Sequence, residues 1–493
     1  MPPVNGHALV ATLLPSALLL LTAAAIALLG WRRPALPAGF HRWLACIGLL
    51  GAAGGALITL SGLTRTQGLG LVTLQGAVVA DRFAVYAELL LCAVGLLGVL
   101  GAGTAQPRLH RRAPAFHALV LTATAGGTII AIQWEMGMLL AGAGLLLLSL
   151  TGMVALEKTV PAAGEAALKQ LAGAAVAFAV LAYGLAIVFG ATGTTDLEAT
   201  RGLLVHAAGL EGLGLAMTLL GLCYLVGATP LHLWLLQVIR GSSGGVAAVV
   251  VSLGTTAGAV ALVRVMVSGF SDTLRPWVIL AAVLAAIACL YPAVIALAVT
   301  DVRRLIGLGV SLQGGLLLTA LLGTGIGGDH RLAGGVVAIL FGSTVFALAS
   351  LASLQAVGLL EAQGIGTTSE GLRGLSRRAP GTAALLCLGL AGLAGLPPLA
   401  GFIARVLVAE SAVAGGFAWV AVASLAAWLL YAIPVLRCLA ALFVEDDDAP
   451  VAAPAGYRLA RFVATCCAVS GILASVLAGP MLYAAQGAAL SLH

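Results

Sequence analysis

The chain has 493 residues, of which 61% are hydrophobic and only 9% are charged. Soluble domains carry about 25% charged residues, so this composition excludes an ordinary soluble protein and indicates a chain that lies in a lipid bilayer. The formal net charge is +6, but the basic residues border apolar segments, so they indicate membrane topology and no nucleic-acid partner.

Apolar segments of about 20 residues, each long enough to cross a bilayer, recur along the chain. They predict an all-α integral membrane protein with about fourteen transmembrane helices. The first span is no cleavable signal peptide, because it is long and is followed by Arg32 and Arg33. The predicted spans are residues 8–30, 43–63, 83–104, 115–133, 135–156, 168–190, 207–228, 243–268, 276–299, 304–324, 332–358, 381–409, 415–443 and 460–485.

Loop charges predict the orientation of these spans. With the N-terminus outside, sixteen Lys and Arg residues border the cytoplasm and five border the opposite face. Cytoplasmic loops are the basic ones, so we expect both termini on the outer face of a bacterial inner membrane. The acidic stretch Glu445–Asp448 is predicted to be a solvated linker.

Two of the predicted spans are interrupted by proline. Pro230 interrupts the seventh span, and Pro397 and Pro398 interrupt the twelfth. Arg405 lies deep in that twelfth span, where a guanidinium costs roughly 2.5–3.5 kcal/mol on insertion scales unless it faces a polar interior. Broken helices at matching places in two halves indicate an inverted repeat with a site at mid-membrane.

The spacing of the breaks predicts two inverted five-helix repeats, with breaks in spans 7 and 12. We see no residue-level identity between the two halves, so the repeat is inferred from placement alone. The predicted division is an N-terminal three-span region (1–114), a first antiporter-like repeat (115–268), a second repeat (269–443), and a linker with the last span (444–493).

The eight cysteines all lie in apolar stretches, and none forms a C-x-x-C or Cys/His metal spacing. The sequence has no dinucleotide fingerprint and no Walker motif. We therefore expect no catalytic residue, metal ion or bound cofactor on this chain.

Four stretches carry a family resemblance. They are LAGLPPLAGF with a basic residue three positions on, PLHLW, DVRRLIGLGVSLQGG, and the segment from GEAALK to ATGTTDL. They resemble subunit N of NADH:quinone oxidoreductase (respiratory complex I), an antiporter-like proton-translocating subunit. The resemblance runs from near residue 78 to near residue 443. LAGxPPxAGF is shared with multisubunit cation/proton antiporters, whereas the GEAALK segment is most specific to subunit N.

The resemblance implies a non-redox membrane-arm subunit that couples quinone reduction elsewhere in a complex to proton movement. NADH, flavin, iron–sulfur clusters and quinone would then bind to partner subunits, and the partners would be other membrane-arm subunits. Two alternatives stay open. One is a component of a multisubunit cation/proton antiporter or hydrogenase-type complex, and the other is a purely structural membrane subunit.

The resemblance also places the family's titratable residues on this sequence. The sixth-span lysine is retained as Lys169, and the twelfth-span lysine falls on Arg405, which supplies fixed charge rather than a transferable proton. The remaining positions have lost their titratable group: the fifth-span glutamate, the seventh- and eighth-span lysines and a tenth-span histidine fall on Gly144, Leu225, Thr255 and Gln313. We therefore expect proton translocation by this subunit to be weak or lost.

The candidates for a proton path are Lys169, Arg405, His232 and Glu410. Lys169 is predicted either to titrate or to anchor a helix end, and Arg405 to face the bundle interior rather than lipid. His232 is expected to cap carbonyls at the break. Glu410 follows Arg405 by five residues, about 140° around the helix, so geometry does not dictate a pair. Glu88 is expected near a span end, in a solvated or interhelical role.

Overall fold

The computed structural model describes residues 6–33, 36–65, 71–102, 106–109, 112–204, 209–270, 276–324, 333–444 and 457–492. Twelve helices in these residues are long and apolar enough to cross a membrane, which confirms an all-α membrane protein. The count of fourteen crossings stays a prediction. The helices are α1 (Gly6–Arg32), α2 (Ala38–Arg65), α3 (Arg82–Gly101), α4 (Gln106–Leu109), α5 (Ala113–Ile132), α6 (Met136–Ala155), α7 (Pro161–Thr192), α8 (Leu197–Leu203), α9 (Leu210–Val226), α10 (Leu233–Gly241), α11 (Gly244–Ser268), α12 (Pro276–Ala296), α13 (Val302–Leu321), α14 (Ala333–Ala362), α15 (Leu375–Arg378), α16 (Pro380–Ala394), α17 (Ala400–Ala414), α18 (Ala418–Ala441), α19 (Arg458–Val476) and α20 (Ala478–Leu490).

Three helices form the centre of the bundle. α11, α13 and α14 are enclosed along most of their length by other helices. Glycine allows the close approach, as small residues do in membrane bundles. A Cβ at Gly258 of α11 would lie 2.5 Å from the carbonyl carbon of Leu225, and one at Gly314 of α13 would lie 2.8 Å from the amide nitrogen of Ala228. α11 and α13 therefore both pack directly against the end of α9.

The packing partners of α5–α11 recur in α12–α18. α5 packs on α6 as α12 packs on α13, and α7 packs on α9 and α10 as α14 packs on α16 and α17. α11 returns to α5 and α6, and α18 likewise returns to α12 and α13. This correspondence supports a five-helix repeat, whose inverted orientation stays a prediction.

The structure differs from the predicted elements in two places. The last predicted span, 460–485, is not one helix but α19 and α20, which meet at Leu477. Pro480 explains the division, because it cannot donate the hydrogen bond that would continue α19. A small antiparallel hairpin of β1 (Leu71–Thr73) and β2 (Val78–Ala80) precedes α3. The predicted acidic linker at Glu445–Asp448 lies outside the described residues.

Candidate functional site

The first interruption separates α9 from α10 around Pro230. Gly227 ends α9 in the left-handed conformation, with φ at +71°. Its N–H donates to the Tyr224 carbonyl at 3.0 Å, and the N–H of Ala228 donates to the Cys223 carbonyl at 2.9 Å. This is a glycine cap, which satisfies carbonyls at a helix end where no water is available.

The second interruption, between α16 and α17, has the same hydrogen bonds. Gly395 ends α16 with φ at +64°. Its N–H donates to the Gly392 carbonyl at 3.0 Å, and the N–H of Leu396 donates to the Ala391 carbonyl at 2.9 Å. Two helices that end in the same way, each followed by a proline three residues after the glycine, form a structural pair.

Aligning the two caps shows a residue-level repeat that the sequence analysis missed. The pattern G-x-x-P-L begins at Gly227 and again at Gly395, and an aromatic residue follows each leucine by three positions, at Trp234 and Phe402. The statement that no identity relates the halves was therefore wrong. The signal is short and becomes visible only when the glycine that ends each helix fixes the alignment.

Arg405, on α17, points into the bundle interior. Its side chain is 2% exposed, and Nη2 donates to the Leu393 carbonyl at 2.6 Å. The guanidinium carbon lies 5.3 Å from the centre of the Phe346 ring and 5.9 Å from that of Trp428, which suits a cation–π contact. Nε and Nη1 have no partner, and no carboxylate in the described residues forms an ion pair with Arg405.

A small cavity lies between two of the altered family positions and the residues that contact Arg405. Thr255 of α11 and Gln313 of α13 line it together with Ser343, and its wall includes Phe346 and Leu393, which contact Arg405. Its volume of about 20 Å³ holds roughly one water molecule. On this wall, Gln313 Oε1 and Ser343 Oγ have no hydrogen-bond partner in the protein. We call Thr255, Gln313, Ser343 and Arg405 the central polar cluster.

Leu225 and Gly144 contribute nothing ionisable to this cluster. Leu225 is buried in the last turn of α9, beside Val226 in the cavity wall. Gly144 lies on α6, and a Cβ there would lie 3.6 Å from the Phe178 ring of α7. The first repeat therefore presents apolar atoms where the family resemblance would place a glutamate and a lysine.

His232 lies at the first interruption. It is 3% exposed, and its Nδ1 lies 3.3 Å from the Thr229 hydroxyl, which is 3.4 Å from the Ser311 hydroxyl of α13. Its ring contacts Tyr291 edge-on at 5.4 Å. His232 thus joins a chain of side-chain hydroxyl groups, in addition to its position at the start of α10.

The structure does not bring Lys169 or Glu410 into the central polar cluster. The Lys169 side chain is 51% exposed, and it forms an ion pair with Glu165 at 2.5 Å on the exposed side of α7. It borders a surface cleft of about 420 Å³ with Pro230 and Trp234. Glu410 is exposed in another surface cleft, beside α20.

A group of charged side chains that the sequence analysis did not single out meets where several helices end. Glu361, at the end of α14, forms ion pairs with Arg303 of α13 and, at 3.3 Å, with Arg108 of α4. Arg303 also donates to the Ile239 carbonyl at 2.8 Å. In the predicted orientation this group lies at the cytoplasmic side, where it ties four elements together.

Asp81 and Arg264 form a second group that sequence reasoning did not find. Arg264 Nη1 lies 2.6 Å from Asp81 Oδ2, and the two side chains are 0% and 2% exposed. Arg264 also donates to the Ala131 carbonyl at 2.6 Å and lies over the Phe83 ring at 4.7 Å. The pair becomes visible only in the fold, because α3, α5 and α11 meet there.

Glu88 was expected near a span end, in a solvated or interhelical role. It is not solvated: it is 2% exposed on the face of α3 that is turned toward α5, and its Oε1 has no hydrogen-bond partner. In the described residues no group of three or more His, Cys, Asp or Glu side chains is placed to hold a metal ion.

Comparison with known proteins defines the family. Residues 133–430 match the family described as NADH:quinone oxidoreductase/Mrp antiporter, transmembrane. NADH-quinone oxidoreductase subunit N 1 of Solidesulfovibrio magneticus is 33% identical over 373 residues, which cover 75% of this chain and 77% of that protein.

Solved structures share the fold. A chain of respiratory complex I from Thermus thermophilus, with bound aureothin, superposes with a TM-score of 0.75 at 25% identity, over 95% of this chain and 98% of that one. A chain of the Mrp complex from Dietzia shares the fold at 17% identity, with a TM-score of 0.83 over 99% and 98% of the two chains. The matched family region and the identity to the Solidesulfovibrio protein together show that this chain belongs to the NADH:quinone oxidoreductase/Mrp antiporter transmembrane family, in its subunit N group.

Proposed function

We propose that this chain is a membrane-arm subunit of a proton-translocating NADH:quinone oxidoreductase. The observation that carries the proposal is the pair of interrupted helices, with matching glycine caps, on either side of a buried polar cluster in a chain of the subunit N group. The chain takes no part in electron transfer. NADH, flavin, iron–sulfur clusters and quinone bind to partner subunits, and this chain contributes to proton movement and to assembly.

The proposal includes a weak proton route through the two repeats. A proton needs a chain of waters and exchangeable groups to cross roughly 30 Å of hydrocarbon. Leu225 and Gly144 cannot exchange protons, and Arg405 holds its charge. Lys169 lies at the surface and outside the central polar cluster. The cluster therefore provides an electrostatic field but no continuous chain of groups that could pass a proton.

Co-purification from the native membrane tests the proposed complex. A tag on this chain should recover peripheral subunits that carry flavin and iron–sulfur clusters, detected by absorption and by mass spectrometry. An untagged strain serves as the control. Recovery of small antiporter subunits without flavin or iron–sulfur protein would refute the proposal and favour a cation/proton antiporter.

We also propose the orientation with both termini on the outer face, and the division 1–114, 115–268, 269–443 and 444–493 with inverted repeats. Reporter fusions test the orientation. Fusions after Arg112 and after Arg378 should be active only in the cytoplasm, and a fusion after Glu198 only outside, because positively charged loops stay inside. Opposite results at all three sites would reverse the orientation, and a reversal at one site would change the span count.

A further inference from the structure

Glu88 is a buried acid that the proposed function does not use. It lies on α3, outside both predicted repeats, seven residues after Asp81. Seven residues make two helical turns, so Asp81 and Glu88 lie on one face of the chain, roughly 10 Å apart. The same face continues to Gly95, where a Cβ would lie 2.9 Å from the Thr124 hydroxyl of α5.

The contacts between α3 and α5 place Glu88 beside Arg264. Leu91 packs on Gly127 and Gly95 faces Thr124, so the two helices run antiparallel. Glu88 lies two turns before Gly95 on α3, and Ala131 lies two turns after Thr124 on α5, so Glu88 and Ala131 are at the same level. The Ala131 carbonyl accepts a hydrogen bond from the Arg264 guanidinium at 2.6 Å. Two carboxyl groups and one cation therefore share a buried space.

Charge balance in this space assigns the proton. Asp81 Oδ2 and Oδ1 accept from Arg264 at 2.6 and 3.0 Å, and Oδ1 also accepts from the backbone N–H of Ala84 at 2.6 Å. The one positive charge is thus neutralised by Asp81. Glu88 has no ion-pair partner in the described residues, and a buried unpaired carboxylate is strongly unfavourable, so the group is held neutral by a bound proton.

Exchangeable groups continue from Glu88 in both directions. On the outer side lies Asp81, and the next residue, Arg82, is exposed, so this end lies at the surface of the chain. On the other side, Thr128 and Thr124 are fully buried on α5, and His117, two turns further, is 1% exposed with both ring nitrogens unpartnered. The gap of roughly 10 Å between Thr124 and His117 requires bridging water.

We propose that Glu88, in the N-terminal three-span region, is a carboxyl group that carries a proton. It exchanges this proton with the outer face past Asp81 and Arg264. It exchanges it with the opposite face along Thr128, Thr124 and His117. A proton binds to the carboxylate oxygen to give the acid and leaves to restore the carboxylate. The proposal rests on membership of a proton-pumping complex. It places a route beside the central polar cluster, whose one ionisable side chain, Arg405, holds its charge.

The test uses the intact complex in sealed vesicles, with quinone reduction and proton uptake measured separately. Glu88→Gln keeps the shape of the neutral acid but carries no transferable proton, so the number of protons pumped per electron should fall while assembly and quinone reduction are kept. Glu88→Asp should restore part of the loss. Glu198→Gln removes an exposed carboxylate from α8 and should pump like the wild type.

A second measurement needs no turnover. Infrared difference spectra between H₂O and D₂O should contain a protonated carboxyl band that is absent in Glu88→Gln. If no such band is lost, or if it is lost while the pumping ratio stays at the wild-type value, the proposal is wrong. A wild-type complex that reduces quinone without pumping would instead refute the proposed function, and the infrared band would still decide whether Glu88 holds a proton.

Discussion

Replacing Arg264 with methionine should destabilise the assembled protein by about 3–5 kcal/mol, because it leaves the Asp81 carboxylate buried without its cation. The substitution also removes the donors to the Ala131 carbonyl, where α5 ends against α11. The thermal unfolding midpoint of the purified complex, and the fraction of chain assembled in membranes, should both fall sharply.

Two further variants make this result specific to the buried pair. Lys169→Met breaks an exposed pair with Glu165 and should leave the unfolding midpoint nearly unchanged, since exposed ion pairs contribute little. Adding Asp81→Asn to Arg264→Met should recover part of the loss, because the uncompensated charge is removed. Wild-type stability in Arg264→Met alone would mean that the pair does not hold α3 against α11.

The same substitution at Arg405 should have the opposite effect. Arg405→Met removes a buried cation that has no carboxylate partner in the described residues, and it leaves an apolar side chain of similar length. Replacing buried charge with apolar packing is often neutral or stabilising by about 1–4 kcal/mol. The loss of the hydrogen bond to the Leu393 carbonyl and of the cation–π contacts with Phe346 and Trp428 works against this gain.

We therefore expect the unfolding midpoint of the Arg405→Met complex to equal or exceed that of the wild type, measured beside Arg264→Met. Both variants change arginine to methionine at a buried site, so a difference between them reports the presence or absence of a counter-ion. A loss at Arg405 as large as that at Arg264 would contradict this account, because a counter-ion would then not explain the effect at Arg264.

Several features of the fold follow from local sequence. The length of the apolar segments predicts the spanning helices, and the prolines predict where the seventh and twelfth spans are interrupted. Burial of Arg405 follows from the cost of charge in lipid, because a guanidinium within an apolar stretch needs an interior environment. The division of the last span at Leu477 was missed, although Pro480 was visible in the sequence.

The site could be predicted less well, because its contacts join distant parts of the chain. Arg303 and Glu361 are 58 residues apart, and Asp81 and Arg264 are 183 residues apart, so neither pair can be read from local spacing. Glu88 looks peripheral in sequence because it is near the start of a span. Only the face of α3 that it occupies, set by the packing of Gly95 on Thr124, shows that it is buried.

The proton-to-electron ratio of the Lys169→Ala, Arg405→Met double variant, measured in vesicles beside the wild-type complex, tests the central claim most directly. The claim is that Lys169 and the central polar cluster supply structure and field but carry few protons. We expect the double variant to assemble, to reduce quinone, and to pump the same number of protons per electron as the wild type. Loss of pumping with assembly and quinone reduction intact would contradict the claim and place a working proton route through one of these two residues.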